Sequence, residues 1–129
     1  WEEVKEMAEQ GISIQCHTTE HRDLTVPEEG ESLRDYLDNI KVEVSRSARI
    51  VEEKTGRTVK YLAYPYGSTN SVVATMLKKL GFRGALTVKR GSNPFFAGSF
   101  RVGRSMVYGE FDLAGFEKNL TARSGRALR

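Results

Sequence analysis

The sequence predicts an α/β fold with mostly parallel strands, and three observations carry that expectation. Apolar residues recur at helical spacing in well-separated segments, short β-branched or alternating runs lie between them, and the links from strand to helix are only a few residues long. A strand, a helix and a second strand joined by short links call for a crossover connection, which makes the two strands parallel neighbours.

The first helix is expected over Trp1 to Gln10, where Trp1, Val4 and Met7 stand at helical spacing and Gly11 follows as a stop. Ile12-Ser13-Ile14 then alternates as a short strand that ends in Gln15-Cys16-His17. Ser32 is a good N-cap for the longest helix, in which Leu33, Leu37, Ile40, Val44, Ala48 and Val51 keep one apolar stripe. Gly56 closes it after about six turns.

Val59 to Ala63 is the next strand, broken by Tyr64-Pro65-Tyr66-Gly67, since Pro65 removes a donor and Gly67 permits a turn. Asn70 or Thr69 caps the following helix, whose buried face is Val72, Val73, Met76, Leu77 and Leu80 and whose end is Gly81. A strand follows over Gly84 to Val88. Lys89 to Ser99, with Gly91, Asn93, Pro94 and Gly98, reads as a loop. Arg101 to Tyr108 is the last strand. Asp112 to Leu120 closes the chain with Leu113, Phe116 and Leu120 on one side, despite Gly115 within.

The 129 residues are enough for one domain and too few for two full ones, and 39% hydrophobic with 29% charged residues is the composition of a soluble globular chain. A first residue that is Trp, already in a helical pattern, leads us to expect that the chain begins inside a larger unit. No stretch approaches the roughly 20 apolar residues of a membrane span. The net charge of +3 belongs to the end: Lys118, Arg123, Arg126 and Arg129 outweigh it and leave residues 1–117 at a formal −1. We therefore expect a domain over 1–120 and a basic, frayed tail over 121–129. Without aromatics between its arginines that tail lacks a single-strand platform, and no nucleic-acid partner is expected. The single cysteine, Cys16, excludes an internal disulfide.

In α/β folds ligands collect where the carboxyl ends of parallel strands open into loops. Here those ends carry His17 and His21, Tyr64 to Gly67, and the loop after Val88. The only two histidines stand four apart in Cys16-His17-Thr18-Thr19-Glu20-His21. Two imidazoles at that spacing on a helical turn can converge on one ion, and a catalytic metal would want a further oxygen ligand and an open position. Two surface histidines on a polar loop account for the pair equally well. Cys16 is a possible ligand, though its strand position suits a buried thiol better. A rigid turn at Pro65 can aim the backbone N–H of Tyr66 into a cleft as an oxyanion donor; its aromatics can equally plug a barrel mouth. Phe95 and Phe96, with Tyr64, are candidates for a substrate wall. Arg101 and Arg104 either orient a carboxylate or face solvent.

Two runs of residues carry a family resemblance. Trp1 to Gly11 followed by Ile14-Gln15-Cys16-His17-Thr18-Thr19-Glu20-His21 and Leu24 resembles the second motif region of the polysaccharide deacetylases, the NodB-homology family. Leu62-Ala63-Tyr64-Pro65-Tyr66-Gly67-Ser68-Thr69-Asn70, then a helix and Leu80-Gly81-Phe82, is similar to the third. Arg101 to Val107 resembles a late strand of the poly-N-acetylglucosamine deacetylase-like members. The resemblance spans nearly all of residues 1–120 and implies a distorted (β/α) barrel, of which this chain would be a part. It further implies metal-binding roles for His17 and His21, a bracing hydroxyl at Thr18, and an oxyanion-holding backbone N–H at Tyr66. The cofactor would be a divalent metal, commonly zinc, and the substrate an acetylated carbohydrate polymer of the N-acetylglucosamine type.

Departures accompany the matches. The family's paired-aspartate motif, source of the general base and third ligand, has no counterpart before His17, and Ala63 stands where an arginine often opens the third motif. Both histidines are already committed, so a late catalytic histidine is absent; in the poly-N-acetylglucosamine branch the acid comes from before the aspartates. The expectation is a deacetylase segment inactive alone, its remaining parts upstream, acting in the cell envelope or outside the cell. An open barrel edge would let it self-associate. The alternatives are a non-catalytic carbohydrate-binding or scaffolding domain of the same fold, or a plain structural α/β domain with surface histidines.

Overall fold

A computed structural model describes residues 1–89, 93 and 98–121 of the chain. Helix α1 (Glu2–Glu9) forms where the spacing predicts it, with Glu2 and Glu3 in its first turn, where acidic groups favour the helix dipole. Gly11, at φ 93°, turns the chain out. Ala8 is its buried residue, whereas Trp1 and Met7, expected on the apolar face, are exposed.

Ile12 to Ile14 does not become a strand. The segment touches the sheet through a single parallel bridge, Cys16 to Leu62, because the side chain of Gln15 replaces backbone pairing: its Oε1 accepts the N–H groups of Lys60 (2.8 Å) and Tyr61 (2.9 Å). A polar side chain doing the work of a carbonyl cuts the ladder short.

Helix α2 (Leu33–Thr55) starts at Ser32, whose hydroxyl accepts from the Asp35 N–H at 3.2 Å, and ends at Gly56 in the left-handed conformation, φ 65°. Tyr36, Ile40, Val44 and Val51 bury its apolar stripe, and Leu37 and Ala48 pack against the cluster. Leu33 sits 72% exposed, one turn too early to reach the core.

Strands β1 (Tyr61–Ala63) and β2 (Gly84–Leu86) pair in parallel, Leu62 opposite Ala85, with α3 (Ser71–Lys79) as the crossover between them. Asn70 caps α3 by accepting from the Val73 N–H at 2.9 Å. Val73 and Leu77 face the sheet fully buried, and Met76 and Leu80 pack partly, but Val72 points outward. Leu62, Val73, Leu77, Ala85, Ile40 and Val44 are the centre of the core. Each large aliphatic among them contributes about 1.5–3 kcal/mol by leaving water.

The expected strand over Arg101–Tyr108 shrinks to one parallel bridge, Leu86 to Val102. Cys16, β1, β2 and Val102 thus lie side by side, every pairing parallel. Helix α4 (Leu113–Thr121) follows, with Leu113 87% exposed and Phe116 also exposed rather than packed. The basic tail beyond it, and Phe95 and Phe96 before it, lie outside the described residues.

Candidate metal centre

The segment between Cys16 and Leu24 reverses direction at two non-glycine residues in the left-handed region, Thr18 (φ 65°) and His21 (φ 58°). Such a conformation costs an ordinary residue about 1–2 kcal/mol, so neighbouring contacts must hold it. The Thr18 hydroxyl accepts the His21 N–H at 3.1 Å. From α2, Glu43 supplies the rest: its Oε2 accepts the N–H groups of Thr19 (3.1 Å) and Glu20 (3.0 Å), and its backbone carbonyl accepts from the Thr19 hydroxyl (3.1 Å).

Within this loop His17 is oriented by the strand beside it. Its Nδ1 lies 2.7 Å from the carbonyl oxygen of Ala63. A carbonyl only accepts, so Nδ1 carries a proton, and in the neutral ring Nε2 keeps its lone pair, the arrangement that suits an imidazole to a metal. The His21 ring stands edge-on to it, centroids 4.7 Å apart at 76°. Both histidines are on the exposed side of the loop. On this donor set the pair fits a divalent ion as two nitrogen ligands. Among the described residues no third His, Cys, Asp or Glu joins them.

Tyr66 closes the other flank. Its ring meets His21 edge to face at 4.8 Å, its φ is 55°, and among the described residues nothing takes up its backbone N–H. Gly67 is what permits this turn: at φ 72° it also lies so close to Val88 that a Cβ would stand 2.5 Å from the Val88 nitrogen.

Tyr64, expected on the substrate wall, is instead fully buried, and its hydroxyl donates to the Phe100 carbonyl at 3.0 Å. The turn at Pro65 and the left-handed backbone of Tyr66, φ 55°, carry Tyr66 outward, whereas Tyr64 keeps the inward side that Leu62 occupies two residues earlier. Burial pushes its hydroxyl pKa up. Arg104 is half-buried and donates from Nε to the Thr87 carbonyl at 2.9 Å, tying the last segment to the end of β2. Cys16 is buried, its thiol pKa raised to about 11 by desolvation, and its Sγ donates to the Tyr61 carbonyl at 3.7 Å.

Glu43 was not legible as a site residue. The one signal was an acid set directly against the apolar stripe of α2, beside Val44 and one turn on from Ile40.

The parallel segments, the two-histidine loop at a strand end and the Tyr66 turn beside it lie together on one side of the fold. Residues 1–85 match the family model for polysaccharide deacetylases, and the chain belongs to that family. It is 26% identical over 108 residues to the Bacillus subtilis protein YxkH, provisionally named a polysaccharide deacetylase, covering 82% of this chain and 35% of that one. It superposes on the polysaccharide deacetylase BC0361 of Bacillus cereus with a TM-score of 0.74 at 27% identity, over 92% of this chain and 35% of that one. Its fold also matches the Streptococcus pyogenes deacetylase PplD, solved with acetate, at a TM-score of 0.75 and 22% identity, over 92% of this chain and 49% of that one. The chain thus spans about a third to a half of these relatives' length, and its parallel segments are one part of the NodB-type barrel.

Proposed function

We propose that the chain is the histidine-bearing part of a metal-dependent deacetylase that hydrolyses N-acetyl groups on a carbohydrate polymer. The observation that carries this reading is the 2.7 Å hydrogen bond from His17 Nδ1 to the Ala63 carbonyl, which fixes the tautomer and leaves Nε2 for an ion. Family membership supports the substrate class.

His17 and His21 would hold the ion, zinc being our choice for two neutral imidazoles. When bound, such an ion supplies polarisation of the acetyl carbonyl and a more acidic water. The remaining steps fall to the protein. The Tyr66 N–H, held outward by its left-handed turn, donates to the carbonyl oxygen as negative charge develops there. Water adds to the acetyl carbon, the C–N bond breaks, acetate departs, and the amine takes the proton. Among the described residues no third His, Cys, Asp or Glu joins the pair, so we assign the general base and third ligand to residues other than those described, and we expect residues 1–129 alone to be nearly inactive. We place the protein in the cell envelope or outside the cell. No helix among the described residues is long and apolar enough to cross a membrane.

Acetate release from an N-acetylglucosamine oligomer, measured on the full gene product with zinc added and on its His21→Ala variant, tests the reading. Release that collapses in the variant supports it. A full product that binds the oligomer and frees no acetate overturns it in favour of a non-catalytic carbohydrate-binding domain.

A further inference from the structure

We propose that Glu43 is a positioning residue for the histidine pair: through one carboxylate oxygen it clamps the two backbone N–H groups that lie between His17 and His21. The clamp stands on the structure by itself, and its consequence for metal binding rests on the reading of the pair proposed above.

The Glu43 side chain projects from the middle of α2 and is only 9% exposed. A side chain so deeply placed needs polar partners; Arg22 acts on it only at longer, coulombic range, and among the described residues no cation lies within ion-pair distance of it. Its hydrogen-bond partners come from the loop: Thr19 N–H at 3.1 Å and Glu20 N–H at 3.0 Å, both on Oε2. The Thr19 hydroxyl adds a tie to the Glu43 backbone carbonyl at 3.1 Å.

The position of the clamp is what matters. Thr19 and Glu20 are flanked by Thr18 and His21, the two residues held in the left-handed region. Releasing the pair of N–H groups lets both relax toward ordinary backbone angles. His17 would stay in place, tethered independently to Ala63, whereas His21 would swing away from it and from Tyr66. Glu43 therefore acts on the spacing of the two rings without touching either, and α2 becomes the rigid element on which the loop is mounted.

The test uses residues 1–129 without metal first. In wild type, the Thr19 and Glu20 amides should exchange with deuterium slowly for a surface loop. Glu43→Ala should accelerate both at least about tenfold while amides of α2 and β1 keep their protection, and zinc affinity by calorimetry should fall about 10–100-fold, as when a supporting hydrogen-bond partner of a metal ligand is lost. Glu43→Gln keeps an oxygen that can accept both N–H groups and should stay within about threefold of wild type in exchange and in zinc affinity. If Glu43→Ala does not fold, Thr19→Val, which removes only the hydroxyl tie, should show a smaller acceleration at Glu20. Unchanged exchange in the alanine or valine variant overturns the proposal, as does a glutamine variant that behaves like alanine. A wild-type chain with protected amides and no zinc uptake would instead leave the clamp standing and remove the metal reading.

Discussion

The imidazole of His21 and the phenol of Tyr66 meet edge to face, 4.8 Å between centroids at 74°, and both residues hold left-handed backbone angles without being glycine. This contact joins the loop after Cys16 to the turn after β1, so the two histidines and Tyr66 belong to one constellation. Each strained residue is held by a nearby device: Thr18 and Glu43 for His21, Gly67 for Tyr66.

Gly67→Ala should destabilise the chain by about 1–3 kcal/mol, since the new Cβ meets Val88 at 2.5 Å and the residue must hold φ 72°. The midpoint of urea unfolding reads this directly. A shift no larger than that of an exposed Gly→Ala change would mean the turn is not anchored on Val88.

Tyr64→Phe removes a buried hydrogen bond to the Phe100 carbonyl and should cost about 1 kcal/mol, with zinc affinity unchanged. A variant that keeps its stability but loses metal or oligomer binding would return Tyr64 to the cleft.

The Cys16 thiol is pushed from 9.0 up to about 11, first by desolvation. Its folded-state pKa lies above the unfolded value, so its contribution is complete below about pH 9 and is lost as pH rises toward about 11. Denaturation midpoints of wild type and Cys16→Ala should therefore converge over that window. Parallel curves would contradict the burial. Alkylation by iodoacetamide at pH 8 should be slow until the chain is unfolded.

Much of the fold was legible because local chemistry agrees with it. Ser32 and Gly56 bound α2 as cap residues do, Asn70 starts α3, and the strand-helix-strand run with short links became a parallel pair. The strands came out shorter for reasons no periodicity carries: Gln15 puts a side chain where a ladder would run, and Arg101 to Tyr108 keeps only the bridge at Val102. At the site, the spacing of His17 and His21 drew attention to a loop in which the two rings do come together, 4.7 Å between centroids. What makes the pair usable, the Ala63 carbonyl and the Glu43 carboxylate, comes from elements distant in sequence, and a backbone acceptor leaves no trace in residue identity. The burial of Tyr64 was hidden similarly, since Tyr64 and Tyr66 look alike until the left-handed turn at Tyr66 breaks the alternation that would have kept both on one face.

His17 and His21 are proposed to hold one divalent metal between them. Zinc titration by calorimetry at neutral pH, on residues 1–129 and on the His17→Ala and His21→Ala variants, tests it most directly. The prediction is one zinc per chain, weakened at least about tenfold by either substitution; absence of uptake, or uptake that both variants retain, would contradict it.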